Sequence, residues 1–211
     1  MTGSCASSLA PWILASGSPQ RRKLLETLGE PFTVVVADCD ETPPAGPLTD
    51  AVRVIARRKA IAVAARGVVG TLLAADTVID LDGELLGKPR DAADAVAMLT
   101  RLCGRAHAVH TGVALLHRSS CDGRAADART VGVDGVATSI VRFRPQSAAA
   151  IAAYVATGEP FGKSGSYAIQ GGAAAFVEQL EGDVDNVVGL PLALVRRLAE
   201  ELRARLGRRA P

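Results

Sequence analysis

The chain has 211 residues, 48% hydrophobic, 22% charged and 3% aromatic, with 24 basic against 22 acidic side chains and a net charge of +2. This length suits one α/β domain, or one domain in two lobes about a cleft. The balanced charge excludes a whole-surface field for DNA or membranes, and the few aromatics argue against a single-strand nucleic-acid binder, so any anion site must be a local cluster of basic residues.

In chain order, residues 1–10 read as a loose Ser/Ala-rich leader, and the domain is expected from residue 11 to residue 211. Trp12-Ile13-Leu14-Ala15 is an apolar strand that stops at Ser16-Gly17-Ser18-Pro19, and a helix follows to about Leu28. Phe32 to Val36 reads as a second strand, and Pro43, Pro44, Gly46 and Pro47 form a loop. Thr49 is expected to cap a helix running to about Ala65. Thr71 to Ala75 is a buried strand ending at Asp76-Thr77, and Val78 to Leu86 is a hairpin turning at Asp82-Gly83.

Asp91 starts an Ala-rich helix to about Leu102, followed by strands over Ala108–Leu116 and Val133–Phe143 with a polar loop between Arg118 and Arg129. Helices over Ser147–Ala156 and Leu192–Leu206 close the chain. This alternation predicts an α/β fold with a mixed sheet. The four cysteines (Cys5, Cys39, Cys103, Cys121) show no zinc spacing, and there is no signal-like N-terminus and no membrane-length apolar run. The expectation is a reduced, cytoplasmic protein.

Three groups of residues carry chemistry. At Ser16-Gly17-Ser18-Pro19-Gln20-Arg21-Arg22 a strand ends, Ser18 can cap a helix, and Pro19 occupies the first helical position. Such a helix start suits a phosphate, whose charge would also offset two arginines placed at the unfavourable end of the helix dipole. Asp76 ends a buried strand, where ligand sites of α/β sheets collect.

Lys59, Lys88 and Lys163 are the third group; Lys59, beside Arg57 and Arg58, reads by default as part of a solvated face. Gly158 to Ser164 imitates a P-loop but has three residues between its glycines where four are required. His107 and His110 face opposite sides of one strand, so strand packing or surface placement is expected for the histidines.

The ordered series Leu14-Ala15-Ser16-Gly17-Ser18-Pro19-Gln20-Arg21, Asp40-Glu41, Lys59-Ala60, Ala75-Asp76-Thr77-Val78, Gly87-Lys88-Pro89, Thr111-Gly112-Val113, Lys163 to Gly171 and Asn186 to Pro191 resembles the Maf family of nucleotide pyrophosphatases. The resemblance implies an elongated, inosine-triphosphatase-like α/β fold in two lobes around a deep cleft. It implies hydrolysis of a nucleoside triphosphate to monophosphate and pyrophosphate with a divalent metal, Mg²⁺ or Mn²⁺. It puts Asp76 at the catalytic aspartate, and Ser18, Arg21, Lys59 and Lys88 at phosphate-handling positions. Glu41 falls at an active-site carboxylate that holds the metal with Asp76, and Thr77 and Gln170 at positions tied to base selection.

Gln20 departs from the pattern, because pyrimidine-selective members carry Arg there and 7-methylguanosine-selective members Trp. The preferred substrates are expected to be dTTP and UTP, since the Gln170 amide can both donate and accept at a pyrimidine edge. A pyrophosphatase for 7-methylguanosine triphosphate or another modified nucleotide and a non-catalytic nucleotide-binding regulator of cell division are the competing readings. A two-fold homodimer is the base-rate expectation for any assembly.

Overall fold

The structure, a computed structural model, describes residues 9–119 and 129–208. The expected leader therefore lies outside the described residues except for Leu9 and Ala10, and the expected 118–129 loop except at its ends. Leu9 does not behave as leader: it is 3% exposed, and its carbonyl accepts a hydrogen bond from Thr71 Oγ1. An apolar side chain next to an open core is buried rather than left loose.

The elements are β1 (Trp12–Leu14), α1 (Pro19–Glu26), β2 (Phe32–Val34), α2 (Leu48–Ala64), β3 (Gly70–Leu81), β4 (Glu84–Leu86), α3 (Ala92–Leu102), β5 (Ala106–Ser119), β6 (Arg129–Phe143), α4 (Ala148–Ala156), β7 (Val177–Glu181), α5 (Val184–Val188) and α6 (Leu192–Gly207). They form a mixed α/β fold on one sheet ordered β2-β1-β3-β5-β6-β7, with β4 also on β3. β1 is parallel to β2 and β3, and every other pairing is antiparallel.

β3 revises the sequence expectation. Asp76 and Thr77 do not end a strand; they lie in the middle of a twelve-residue one. One edge of β3 is paired with β5 from Gly70 to Asp80. The other edge takes β1 at Thr71–Leu73 and β4 at Ile79–Leu81. Between those two partners, Ala74 to Val78 has no strand beside it. β1 runs toward this gap from one side and β4 from the other, so both point their carboxyl ends into it. The carboxyl-end rule thus holds, but through β1 and β4 rather than β3.

Three core clusters surround the gap. Side chains alternate along a strand, so Leu72 and Ala74 pack with Ala56, Ala60 and Val63 of α2, while Leu73 and Ala75 pack on the opposite face with Leu25, Leu190 and Leu198. Beyond the gap, Ile79 and Leu81 join a separate cluster with Leu99, Phe143, Tyr154 and Tyr167. β3, β5 and β6 each contribute residues to the clusters on both sides of the gap.

The Asp82-Gly83 turn has positive φ at both residues, as a two-residue hairpin requires, and Asp91 and Ser147 cap α3 and α4. Thr49 is not a cap: α2 begins after Pro47, which has no side-chain donor or acceptor. β7, α5 and two short 3₁₀ turns (Ser164–Ser166, Gly172–Phe176) are additions to the sequence reading. No helix among the described residues is long and apolar enough to cross a membrane.

Candidate active site

Asp76 and Thr77 are neighbours on β3, so their side chains leave opposite faces of the sheet. Asp76 shares a face with Leu72 and Ala74 and meets α2. There Lys59 Nζ donates to Asp76 Oδ1 at 2.7 Å and pairs with Glu41 Oε2 at 2.9 Å. Lys59 is 7% exposed, so the expectation of a solvated face is corrected. It continues the buried stripe of Val52, Ile55, Ala56, Ala60 and Val63, and helical periodicity puts residue 59 toward the sheet. A buried ammonium needs such partners, because an unpaired charge away from water costs several kcal/mol, ~3 or more.

The approach of α2 depends on Gly112, directly across from Asp76 on β5. A Cβ on Gly112 would stand 2.4 Å from the Val52 carbonyl oxygen, which is shorter than contact allows. The α2 backbone therefore rests on a bare Cα. Glu41 arrives on the loop before α2, where Arg58 Nη1 donates to the Thr42 carbonyl at 2.8 Å and Asp40 Oδ1 accepts the Thr42 N–H at 2.8 Å. The second Asp76 oxygen, Oδ2, has no hydrogen-bond partner among the described residues.

Thr77 faces α1. The Ser18 hydroxyl caps α1, accepting the Arg21 N–H at 3.4 Å and donating to Gln20 Oε1 at 3.2 Å. Three of the five Arg21 N–H groups meet protein acceptors: Nε on the Gly189 carbonyl at 2.8 Å, Nη2 on Thr77 Oγ1 at 3.0 Å and Nη1 on Ser16 Oγ at 3.4 Å. Burial lowers its pKa and the charges of Asp76 and Glu41 raise it in part. Thr77 Oγ1 also lies 3.0 Å from Thr111 Oγ1, and Thr111 donates to the Asn186 carbonyl at 2.9 Å. Asn186, 1% exposed, donates to the Val109 carbonyl at 3.1 Å and Ser139 Oγ at 2.9 Å. This chain joins α1, β3, β5, β6 and α5.

At the other end of the gap, Ser164 Oγ donates to the Thr77 carbonyl at 3.2 Å, and the Gly165 N–H donates to the Gly87 carbonyl at 2.9 Å. These bonds tie the loop after β4 to β3. Lys88, next in that loop, is exposed and makes no hydrogen bond or ion pair among the described residues. Gln170 and Gln20 are also exposed. Lys163 donates to the Glu159 carbonyl, and Gly158 to Lys163 form turns rather than a P-loop.

Sequence reasoning gave no individual role to Ser16, Arg58, Thr111 and Asn186. Ser16, Thr111 and Asn186 lie within the recognised motif series, which was the available signal. The histidines pack as expected: His107 Nε2 lies 2.9 Å from the Tyr167 hydroxyl, and His110 bridges Thr138 and Asp80 at 2.9 and 3.3 Å.

Residues 11–202 match the family described as Maf-like protein. Curated relatives include the dTTP/UTP pyrophosphatases of Pelotomaculum thermopropionicum, 48% identical over 90% of this chain and 94% of that protein, and of Salinibacter ruber, 50% identical over 92% and 90%. That of Myxococcus xanthus is 48% identical over 89% and 90%. Among solved structures, the Staphylococcus aureus Ham1 protein aligns over 94% of this chain and 99% of that one, at 12% identity and a TM-score of 0.42, and adds nothing to the assignment. With a family match along nearly its whole length and relatives at about half identity, the chain belongs to the Maf family.

Proposed function

We propose that this chain hydrolyses nucleoside triphosphates between the α- and β-phosphates, releasing the monophosphate and pyrophosphate, with dTTP and UTP preferred. The reading is carried by its 48–50% identity to three proteins named for dTTP and UTP. The local geometry supports the assignment of roles.

Asp76, through the free Oδ2, takes the proton of the water that attacks the α-phosphorus, a contribution of roughly 10²–10⁴-fold. Lys59 fixes the carboxylate by its bond to Oδ1 and, with Lys88, offsets charge on the departing pyrophosphate. Ser18 and the first turn of α1 offer phosphate a hydroxyl and unpaired N–H groups. Arg21 holds Ser16 and Thr77 through one N–H of each terminal nitrogen and keeps the other two for a phosphate. Gln170 reads the base edge, with Gln20 and Thr77 shaping selection.

A divalent cation, Mg²⁺ or Mn²⁺, is the proposed cofactor, with Asp76 and Glu41 as its protein ligands. The donor set fits in its chemistry, two carboxylates with hard oxygen atoms held near one another by Lys59, and among the described residues no third His, Cys, Asp or Glu joins them. Such ions commonly take one or two carboxylates and complete their shell with phosphate oxygens and water. When bound, the ion supplies charge neutralisation on the triphosphate. A nucleotide substrate and free Cys39 and Cys103 fit a cytoplasmic reaction.

The test is a panel of nucleoside triphosphates, 7-methylguanosine triphosphate included, assayed with each metal and scored for pyrophosphate against orthophosphate. Pyrophosphate release fastest from dTTP and UTP is expected. Orthophosphate as product would reassign the bond cleaved, and preference for 7-methylguanosine triphosphate would move selection from Gln170 to Gln20.

A further inference from the structure

The turn Ala168–Gly172, which carries Gln170, is held at both ends by two side chains, one on α4 and one just after it. The hydroxyl of Tyr154, on α4, accepts the Ala168 N–H at 3.0 Å. Glu159 Oε2 accepts the Gly172 N–H at 2.9 Å. Between them the turn closes on itself, the Gly171 N–H donating to the Ala168 carbonyl at 3.0 Å. Glu159 is anchored in its own right: its N–H donates to Thr157 Oγ1 at 3.2 Å, and its carbonyl accepts from Lys163 Nζ.

The two side chains meet over the glycines. A Cβ on Gly172 would lie 3.1 Å from the Tyr154 ring and 3.4 Å from Glu159 Oε2. On Gly171 it would lie 1.9 Å from Glu159 Oε1. The space above Gly171 is thus filled by the protein's own carboxylate, so this glycine pair admits Glu159. Burial pushes the Tyr154 phenol up, the Ala168 N–H pulls it back in part, and the Glu159 carboxylate raises it again.

We propose that Tyr154 and Glu159 are positioning residues for base selection, fixing the Ala168–Gly172 turn so that the Gln170 amide is presented in one orientation. This rests on the reading of Gln170 as the base-contacting side chain. Gln170 is exposed and makes no hydrogen bond among the described residues, so its placement comes from the backbone that carries it. Holding that backbone before the nucleotide arrives removes an ordering cost from binding.

The test measures kcat and KM for dTTP and GTP in Glu159→Ala, Glu159→Gln, Tyr154→Phe, Gly171→Ala and Gln170→Ala, with Tm for each. Glu159→Ala, Tyr154→Phe and Gly171→Ala should each lower the dTTP over GTP ratio of kcat/KM by about fivefold, the cost of ordering one or two residues. The change should fall on KM more than on kcat. Glu159→Gln, which keeps an oxygen acceptor for Gly172, should retain most of the ratio.

Gly171→Ala should add little in a Glu159→Ala background, because both act by removing the same carboxylate from the same place. Additive effects there, or losses of kcat at constant ratio, would overturn the proposal. If Gln170→Ala abolishes discrimination while Glu159→Ala and Tyr154→Phe leave it intact, positioning fails and the base-contact reading stands. If Gln170→Ala leaves discrimination unchanged, that reading fails, and the proposal with it.

Discussion

Lys59 joins two carboxylates that arrive from different parts of the chain, and at this scale its removal is the informative change. Lys59→Met leaves Asp76 facing α2 without its paired ammonium, a cost of about 3 kcal/mol. Asp76→Asn placed in the Lys59→Met background should recover part of that loss, read by urea unfolding of the four proteins at pH 7. Equal penalties with and without Asp76 would show that the pair is not what Lys59 contributes. For activity, Asp76→Asn should lower kcat by about 10²-fold or more while circular dichroism stays native.

His107 gives a pH prediction from the same scale. Burial pushes its pKa down from 6.5 to about 4, so the unfolded chain takes up this proton first as pH falls. Stability from a neutral His107 is complete above pH 6.5 and is lost between there and about 4, by about 3 kcal/mol in all. Comparing unfolding free energies at pH 7.5 and 4.5, His107→Gln should decline less than the parent; parallel declines would remove His107 as the cause. Among single residues, Asp76, Lys59 and Glu41 were found through their motifs. Glu159 was not, because its side chain accepts a single backbone N–H, that of Gly172 thirteen residues on, in a segment without periodicity.

At the scale of elements, the contact of α2 with β5 decides whether Lys59 reaches its partners. Gly112→Ala puts a methyl group against the Val52 carbonyl and must lift α2 from the sheet. Overpacking of this kind costs about 1–3 kcal/mol. Activity should fall more than stability alone explains, since Lys59 moves with the helix. A Gly112→Ala protein with normal kcat and a lowered Tm would mean that α2 shifts without carrying Lys59 away. Elements with strong local chemistry were legible: Asp82-Gly83 specified the hairpin, and Asp91 and Ser147 marked helix starts. β3 was cut short because a polar Asp76-Thr77 pair interrupts its apolar run, yet pairing with β5 carries the strand through. β7 escaped notice because its short Val177–Glu181 stretch is largely exposed and acidic.

At the scale of the molecule, β3, β5 and β6 each supply side chains to the cores on both sides of the gap. The two cores should therefore melt together. Calorimetry is expected to give one transition, shifted upward as a whole by a non-hydrolysable dTTP analogue with metal. Two separate transitions would mean that the shared strands do not couple the cores. No composition or motif revealed this sharing, because it depends on the register of fourteen paired positions between β5 and β6. The continuous strands also restrict how the protein can close on a ligand. A loop hinge swings about a point, whereas three hydrogen-bonded strands bend and twist along their length like a leaf spring. Accommodation of a nucleotide then becomes a small elastic flexure spread over many peptide units, with a restoring force that reopens the notch once the products leave.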